Sequence, residues 1–217
     1  MRKDKSLGTR LRGTRILTTF FIIIMIAVFL INLLISSQCN RFWVAISGGG
    51  NLTEYLQLSR EDVFGKMQLY RLATYGFLQT SIIHLLANII ALWYIGGFFE
   101  EYVGRLKYII VITLGLIIPG ILLLLIYPNA HIYGASPAIY TCIGMLVNQA
   151  LRHKDLSRLF KCQSGYRYIV GYFFLGNLPG VCTLVFHFLG FVVGLILGFA
   201  PIHYISEKSD RLEKIRA

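Results

Sequence analysis

Apolar residues fall along this chain in blocks, most of them long enough for a helix that crosses a bilayer, separated by short polar or basic stretches. A helix rises ~1.5 Å per residue, so ~20 apolar residues cover a hydrocarbon core of ~30 Å. The first block runs from Ile16 to about Ile35, the second from about Ile82 to Tyr102, and the third from Tyr108 to Tyr127. The fourth covers Ser136 to about Leu151 and the sixth Cys182 to about Tyr204. A fifth, roughly Tyr166 to Leu178, is short for a crossing and is broken by Pro179-Gly180. Between the second and third, Arg105-Leu106-Lys107 predicts a short basic turn. Residues 128–133 predict a tight loop with no Lys or Arg. The pattern predicts an all-α membrane protein, one bundle of six helices over residues 16–204.

Composition supports that class. Of 217 residues, 56% are hydrophobic and 14% charged, against about a quarter charged in a soluble domain; the mean hydropathy is +0.64. A net charge of +11 would suit nucleic acid if it formed a basic face. Here the basic residues lie in the stretches between apolar runs, the signature of a chain oriented in a membrane, so no nucleic-acid partner is expected.

With six crossings, only Arg41, Arg60, Lys66 and Arg71 of the 21 basic residues face outward. If the fifth run did not cross, the basic tail (Lys208, Arg211, Lys214, Arg216) would join them, against the positive-inside rule. Both termini are therefore expected in the cytoplasm, residues 1–15 as a basic leader and 205–217 as a basic tail. The first run is longer than a signal sequence needs and no small-residue cleavage site follows it, which predicts an uncleaved span. Cys39, Cys142, Cys162 and Cys182 have no metal-ligand spacing, so no metal or cofactor is expected.

Residues 36–81 form a long external loop, with Ser47-Gly48-Gly49-Gly50-Asn51 as its flexible point. Loops of this length are uncommon unless functional. Tyr70, Tyr75 and Phe77 suggest that it rests partly in the membrane interface.

Polar side chains inside spans are costly and mark function by default. The second, fourth and sixth spans all start at the outer face. His84 and Asn88, Ser136, and His187 lie near those starts, so all four are expected at similar depth. Ser136 with Pro137 reads equally as a helix start, serine capping and proline in the first helical position. His187 reads as a base for Ser136 or as a histidine bonded between helices. His84 and Asn88, four apart, share a helix face as two donors for an oxyanion or as interhelical bonds. Gly190, Gly194 and Gly198 line one face below His187, a stripe that predicts close helix packing. Asp, Glu and Lys are absent from the depth of every span, Glu100 and Glu101 lying at the cytoplasmic end of the second. That disfavours a Ser-His-Asp triad, a Ser-Lys pair and a proton or cation transporter, and leaves a dyad.

Over residues 70–204 these features resemble the rhomboid family of intramembrane serine proteases. Tyr70-Arg71 is similar to the family's Trp-Arg pair. His84-x-x-x-Asn88 is followed by Gly96-x-x-x-Glu100-x-x-x-Gly104, Gly134-x-Ser136 matches the nucleophile motif, and His187-x-x-Gly190-x-x-x-Gly194-x-x-x-Gly198 the last helix. The resemblance implies Ser136 as nucleophile and His187 as general base and later acid. It implies an oxyanion site of His84, Asn88 and the Ser136 amide, with Tyr140 packed on the catalytic histidine in place of an acid. It also implies hydrolysis of peptide bonds in or near transmembrane helices of membrane-protein substrates. The sequence shows no transit-peptide character or large extra domain, so a bacterial plasma membrane is the expected location. One departure is Pro137, where the family motif Gly-x-Ser-Gly ends in glycine. Proline lacks an N–H and fixes φ, which raises the alternative of a catalytically impaired relative that binds transmembrane clients.

Overall fold

The computed structural model describes residues 15–36, 44–46, 48–152, 171–172, 176 and 180–200. Residues 1–14 of the basic leader, Cys39, Ser47, residues 153–170 with Cys162, most of the fifth apolar run and the tail lie outside the described residues. The long helices are α1 (Ile16–Ile35), α2 (Ile82–Val103), α3 (Arg105–Ile126), α4 (Ser136–Arg152) and α5 (Val181–Leu197). Helices α1, α2 and α3 are long and apolar enough to cross a membrane, and α5 is a shorter apolar helix. Among the described residues there is no β-strand. A single antiparallel bridge joins Leu58 to Ile132.

The burial pattern is that of a bundle in lipid. Helix α1 buries Thr18, Ile22, Met25, Phe29 and Asn32, one stripe at helical spacing that includes two of its polar residues, while the exposed Thr19 turns its hydroxyl back to the Arg15 carbonyl (2.8 Å). Its Phe20, Ile23, Leu30 and Leu34 face outward. In hydrocarbon an exposed isoleucine costs nothing, while a polar side chain must find a partner inside. Helix α4 carries this furthest. It is the most polar of the five sequences, yet all but Val147, Leu151 and Arg152 of its 17 residues are buried.

The expected basic turn at Arg105-Leu106-Lys107 is corrected. Gly104 alone makes the turn, at φ 84°, and Arg105 already begins α3. A left-handed glycine reverses the chain in one residue, so the basic pair rides on the first turn of the next helix. At this end of α2, the buried Glu100 carboxylate accepts from the Leu17 N–H (3.0 Å), the Thr18 N–H (2.8 Å) and the Thr18 hydroxyl (2.7 Å). The two amides are orphan donors of the first turn of α1, where the helix dipole also favours an anion. Arg15 pairs with Glu101 at 2.6 Å beside it.

The sixth apolar run was expected to stay helical to about Tyr204, but α5 stops at Leu197, and Gly198–Ala200 form a turn. Side chains from the end of α4 take its last carbonyls: Asn148 Nδ2 donates to Leu195 O (2.9 Å) and Gln149 Nε2 to Gly198 O (2.7 Å). The stop is thus made by tertiary partners, for Gly198 itself keeps a helical backbone at φ −62° and ψ −15°.

The described part of the long loop is built, not loose. It contains short helical turns at Thr53–Leu56, Glu61–Gly65, Arg71–Thr74 and Tyr75–Phe77. The glycines read as its flexible point adopt φ of 92°, 100° and 104°, and the fully buried Asn32 of α1 holds them. Its Nδ2 donates to Gly49 O (2.8 Å), and its Oδ1 accepts from the Leu52 N–H (2.9 Å). Only glycine takes three such φ values cheaply, so flexible composition here encodes a defined turn.

Further along, buried Arg71 donates to Gln57 O (2.7 Å) and Gln68 Oε1 (2.6 Å) and lies 3.6 Å from Asp62. The Ser59 hydroxyl, at 2.6 Å, is the main group holding the Asp62 carboxyl below its usual range. Partial burial opposes it, and Lys66 and Arg71 reinforce it. A depressed carboxylate stabilises the fold fully above its unfolded pKa near 3.8, and that contribution is lost as pH falls through the lower folded value. Wild type should therefore exceed Asp62→Asn in thermal stability at neutral pH, and the gap should close on acidification below pH 3.8. A gap independent of pH would sever the link to ionisation.

Helices α4 and α5 touch backbone to backbone. A methyl group at Gly190 would strike the Pro137 carbonyl, one at Gly194 the Thr141 carbonyl, and, from the other side, one at Gly144 the Phe191 carbonyl. Thr141 Oγ1 bridges the seam, 2.8 Å from Pro137 O and 3.0 Å from Gly190 O. The glycine stripe is a packing seam, as its spacing predicts.

Candidate active site

Ser136 is buried at the mouth of α4. The first intrahelical bond runs from the Ile139 N–H to the Ala135 carbonyl (3.2 Å). Ser136 is therefore the first helical residue, not the cap, and Pro137 is the second. The amides of a first helical turn have no intrahelical acceptor in any case, so proline at this position sacrifices no bond. Its restricted φ is already that of a helix. The Ser136 amide remains one of the free donors at a positively polarised helix end.

One turn further, the buried Tyr140 ring stacks on the His187 imidazole, with centroids 4.3 Å apart and planes inclined by 12°. His187 is itself buried on α5. The glycine seam makes this contact possible: Gly190, one turn after His187, lies against the backbone of Pro137, the residue after the serine. Nucleophile candidate and imidazole thus sit on two helices whose backbones meet at that level.

His84 and Asn88 approach from the other side. Ser81 caps α2, its hydroxyl accepting from the His84 N–H (3.2 Å), and this sets the rotation of both residues. They converge on Gly134. A Cβ there would lie 2.7 Å from His84 Cε1 and 3.7 Å from Asn88 Nδ2. Gly134 has φ 108°, so glycine is required twice, for its backbone and for the space His84 occupies. Its N–H donates to Tyr75 O at 2.9 Å, tying this turn to the external loop. The Tyr133 ring packs edge-on against His84, 5.9 Å between centroids. All five residues singled out from the sequence, His84, Asn88, Ser136, Tyr140 and His187, are thereby gathered around the single stretch 134–140.

Two further residues belong to the cluster and carry no signal in the sequence. Asn88 Nδ2 donates to Gln79 Oε1 (2.7 Å), and Asn88 Oδ1 accepts from the Tyr172 hydroxyl (2.6 Å). The Tyr172 ring lies 5.5 Å from that of Tyr140, whose hydroxyl donates to Tyr172 O (3.4 Å). Gln79 stands in an irregular stretch before α2, and Tyr172 in an apolar run with other aromatics, so neither shows a period or a motif.

Fold and cluster together define an all-helical membrane protein with a serine and a histidine on two closely packed helices. The chain belongs to the rhomboid family: the rhomboid domain matches residues 66–204. It is 24% identical over 173 residues to the rhomboid protease GlpG of Photorhabdus laumondii, covering 78% of this chain and 60% of that protein. It is 29% identical over 158 residues to rhomboid-type serine protease 2 of Saccharomyces cerevisiae, covering 68% and 59%. The same-named protein of Eremothecium gossypii is 30% identical over 141 residues, covering 62% and 54%. The chain thus spans no more than about three-fifths of the length of these relatives.

Proposed function

We propose that this protein is an intramembrane serine protease that hydrolyses peptide bonds in or near the transmembrane helices of membrane-protein substrates. The observation that carries the reading is the His187 imidazole stacked on Tyr140, one turn below Ser136 and opposite the pair His84 and Asn88. A serine hydroxyl becomes nucleophilic when a base takes its proton, and a neutral imidazole does so near neutral pH. In this mechanism the Ser136 oxygen attacks the scissile carbonyl while His187 accepts the proton. The carbonyl oxygen, now negative, takes donors from the Ser136 amide, His84 and Asn88. His187 then protonates the departing amine. Water, deprotonated by the same imidazole, cleaves the acyl-serine ester and restores Ser136. Tyr140 holds the ring that an acid orients in a triad. The substrate helix must unwind locally, because its own hydrogen bonds otherwise cover the scissile carbonyl.

The proposed architecture is six crossings over residues 16–204, the fifth made by the run 166–178, with 1–15 and 205–217 in the cytoplasm. The confinement of outward basic residues to Arg41, Arg60, Lys66 and Arg71 supports it. A bacterial plasma membrane is the proposed address, in keeping with the Photorhabdus relative; a eukaryotic membrane, as the fungal relatives would suggest, is the competing one. A fluorophosphonate probe tests the chemistry directly. The wild type should be labelled on Ser136 and His187→Ala should not, while labelling that persists without His187 would remove the dyad.

Pro137 does not favour the impaired alternative, since it costs no intrahelical bond. Pro137→Gly should keep the cleavage rate within about threefold and lower unfolding stability by about 1 kcal/mol, through the greater freedom of the unfolded chain. A large gain in turnover in that variant would instead identify proline as a lesion.

A further inference from the structure

The bonds around Asn88 have a direction that can be read from a fixed end. Gln79 Nε2 donates to the Gly76 carbonyl (3.3 Å), and a carbonyl can only accept. Gln79 therefore turns its Oε1 towards Asn88, which must answer with Nδ2 at 2.7 Å. Asn88 Oδ1 is then directed to Tyr172, whose hydroxyl must donate, at 2.6 Å. Three groups in series leave two hydrogens unassigned, the second on Gln79 Nε2 and the second on Asn88 Nδ2, and it is Asn88 Nδ2 that lies towards Gly134.

Were the amide reversed, Oδ1 would face Gln79 Oε1, two acceptors in contact, and an oxygen would replace the N–H on the Gly134 side. Buried at 1% exposure for Asn88 and 0% for Gln79, neither amide has bulk water to compensate.

We infer that Tyr172 and Gln79 are positioning residues that hold the Asn88 carboxamide in the one orientation presenting an N–H to the reacting carbonyl oxygen. The inference rests on the protease reading proposed above. It assigns to Tyr172 a task beyond filling space. Its ring packs beside Tyr140, and its hydroxyl sets the polarity of a donor on α2.

The test is a double-mutant cycle on the full chain in liposomes, reading kcat, KM and thermal midpoint with a single-span substrate at high enzyme. Tyr172→Phe, which removes only the hydroxyl, should lower kcat about tenfold, a fraction of the loss for deleting an oxyanion donor outright. KM should stay within about twofold, because the lost contact matters in the transition state. In an Asn88→Ala background the same substitution should change kcat by less than about twofold, an outcome a general packing role does not produce. Gln79→Met should repeat the pattern and decides the matter if Tyr172→Phe unfolds. Wild-type kcat in Tyr172→Phe, or an equal loss with and without Asn88, overturns the inference. Its failure is distinct from that of the protease reading, which falls if cleavage survives Ser136→Ala or if probe labelling persists without His187.

Discussion

Ser136→Ala and His187→Ala are each expected to reduce cleavage of a reconstituted single-span substrate on the order of 10⁴-fold or more. Neither should shift the thermal midpoint by more than a few degrees. The two losses should not add. In the proposed mechanism Ser136 and His187 share one proton transfer, so once either is gone the other has nothing to do, and the double variant should be no slower than the worse single. The rate that remains would be that of water attacking a carbonyl still held by His84, Asn88 and the Ser136 amide. Cleavage in Ser136→Ala at even a tenth of the wild-type rate would assign the chemistry elsewhere. A weaker loss in Tyr140→Phe than in Tyr140→Ala would be consistent with support by the ring face, which phenylalanine retains, over the hydroxyl.

The second large effect is expected far from any reacting atom. Gly194→Ala places a methyl group on the Thr141 carbonyl, with Thr141 C at 2.8 Å and Met145 N at 2.9 Å. The obstruction is helix backbone, which cannot swing aside as a side chain does, so α4 and α5 must part. Overpacking of this kind costs about 1–3 kcal/mol and sometimes more. The loss in rate should be larger than the loss in stability suggests, because His187 rides on α5 and a displacement of ~1 Å can cost ~10²-fold. Gly144→Ala, meeting Phe191 from the opposite helix, should behave alike. Gly65→Ala, whose nearest neighbour would be Glu61 Cγ at 3.7 Å, is the control and should leave both quantities nearly unchanged. Unchanged unfolding and cleavage in Gly194→Ala would mean that the seam is not tight.

How much of this could be read in advance differs by element. Helix α1 was legible to its end residues, because a run of twenty apolar side chains between basic and polar flanks admits little else. Helix α4 began where Ser136-Pro137 announces a helix, although the serine turned out to be inside and not at the cap. The end of α5 was not legible, since hydropathy continues past Leu197, and the stop depends on Asn148 and Gln149 from another helix. The stretch Ser47 to Asn51 was read as the loop's flexible point because Gly48-Gly49-Gly50 looks so in isolation, and Asn32, seventeen residues before Gly49, is what fixes the glycines. Within the site, residues with a spacing were found: His84 with Asn88, and His187 above its glycines. Gln79 and Tyr172 were not, because a hydrogen-bond relay across three segments leaves no period in any of them.

The clamp between Glu100 and the start of α1 has a consequence for how the molecule comes together. The rhomboid domain match begins at residue 66, fifty residues after α1 starts. Yet the donors that Glu100 draws from the first turn of α1 lie outside that match. A chain assembling without α1 would carry a carboxylate into the bundle with those three donors missing, a burden of several kcal/mol. During synthesis the first helix must therefore wait, unlocked, until the end of the second has emerged to close on it. Residues on both sides of that boundary are thus needed to satisfy one buried carboxylate.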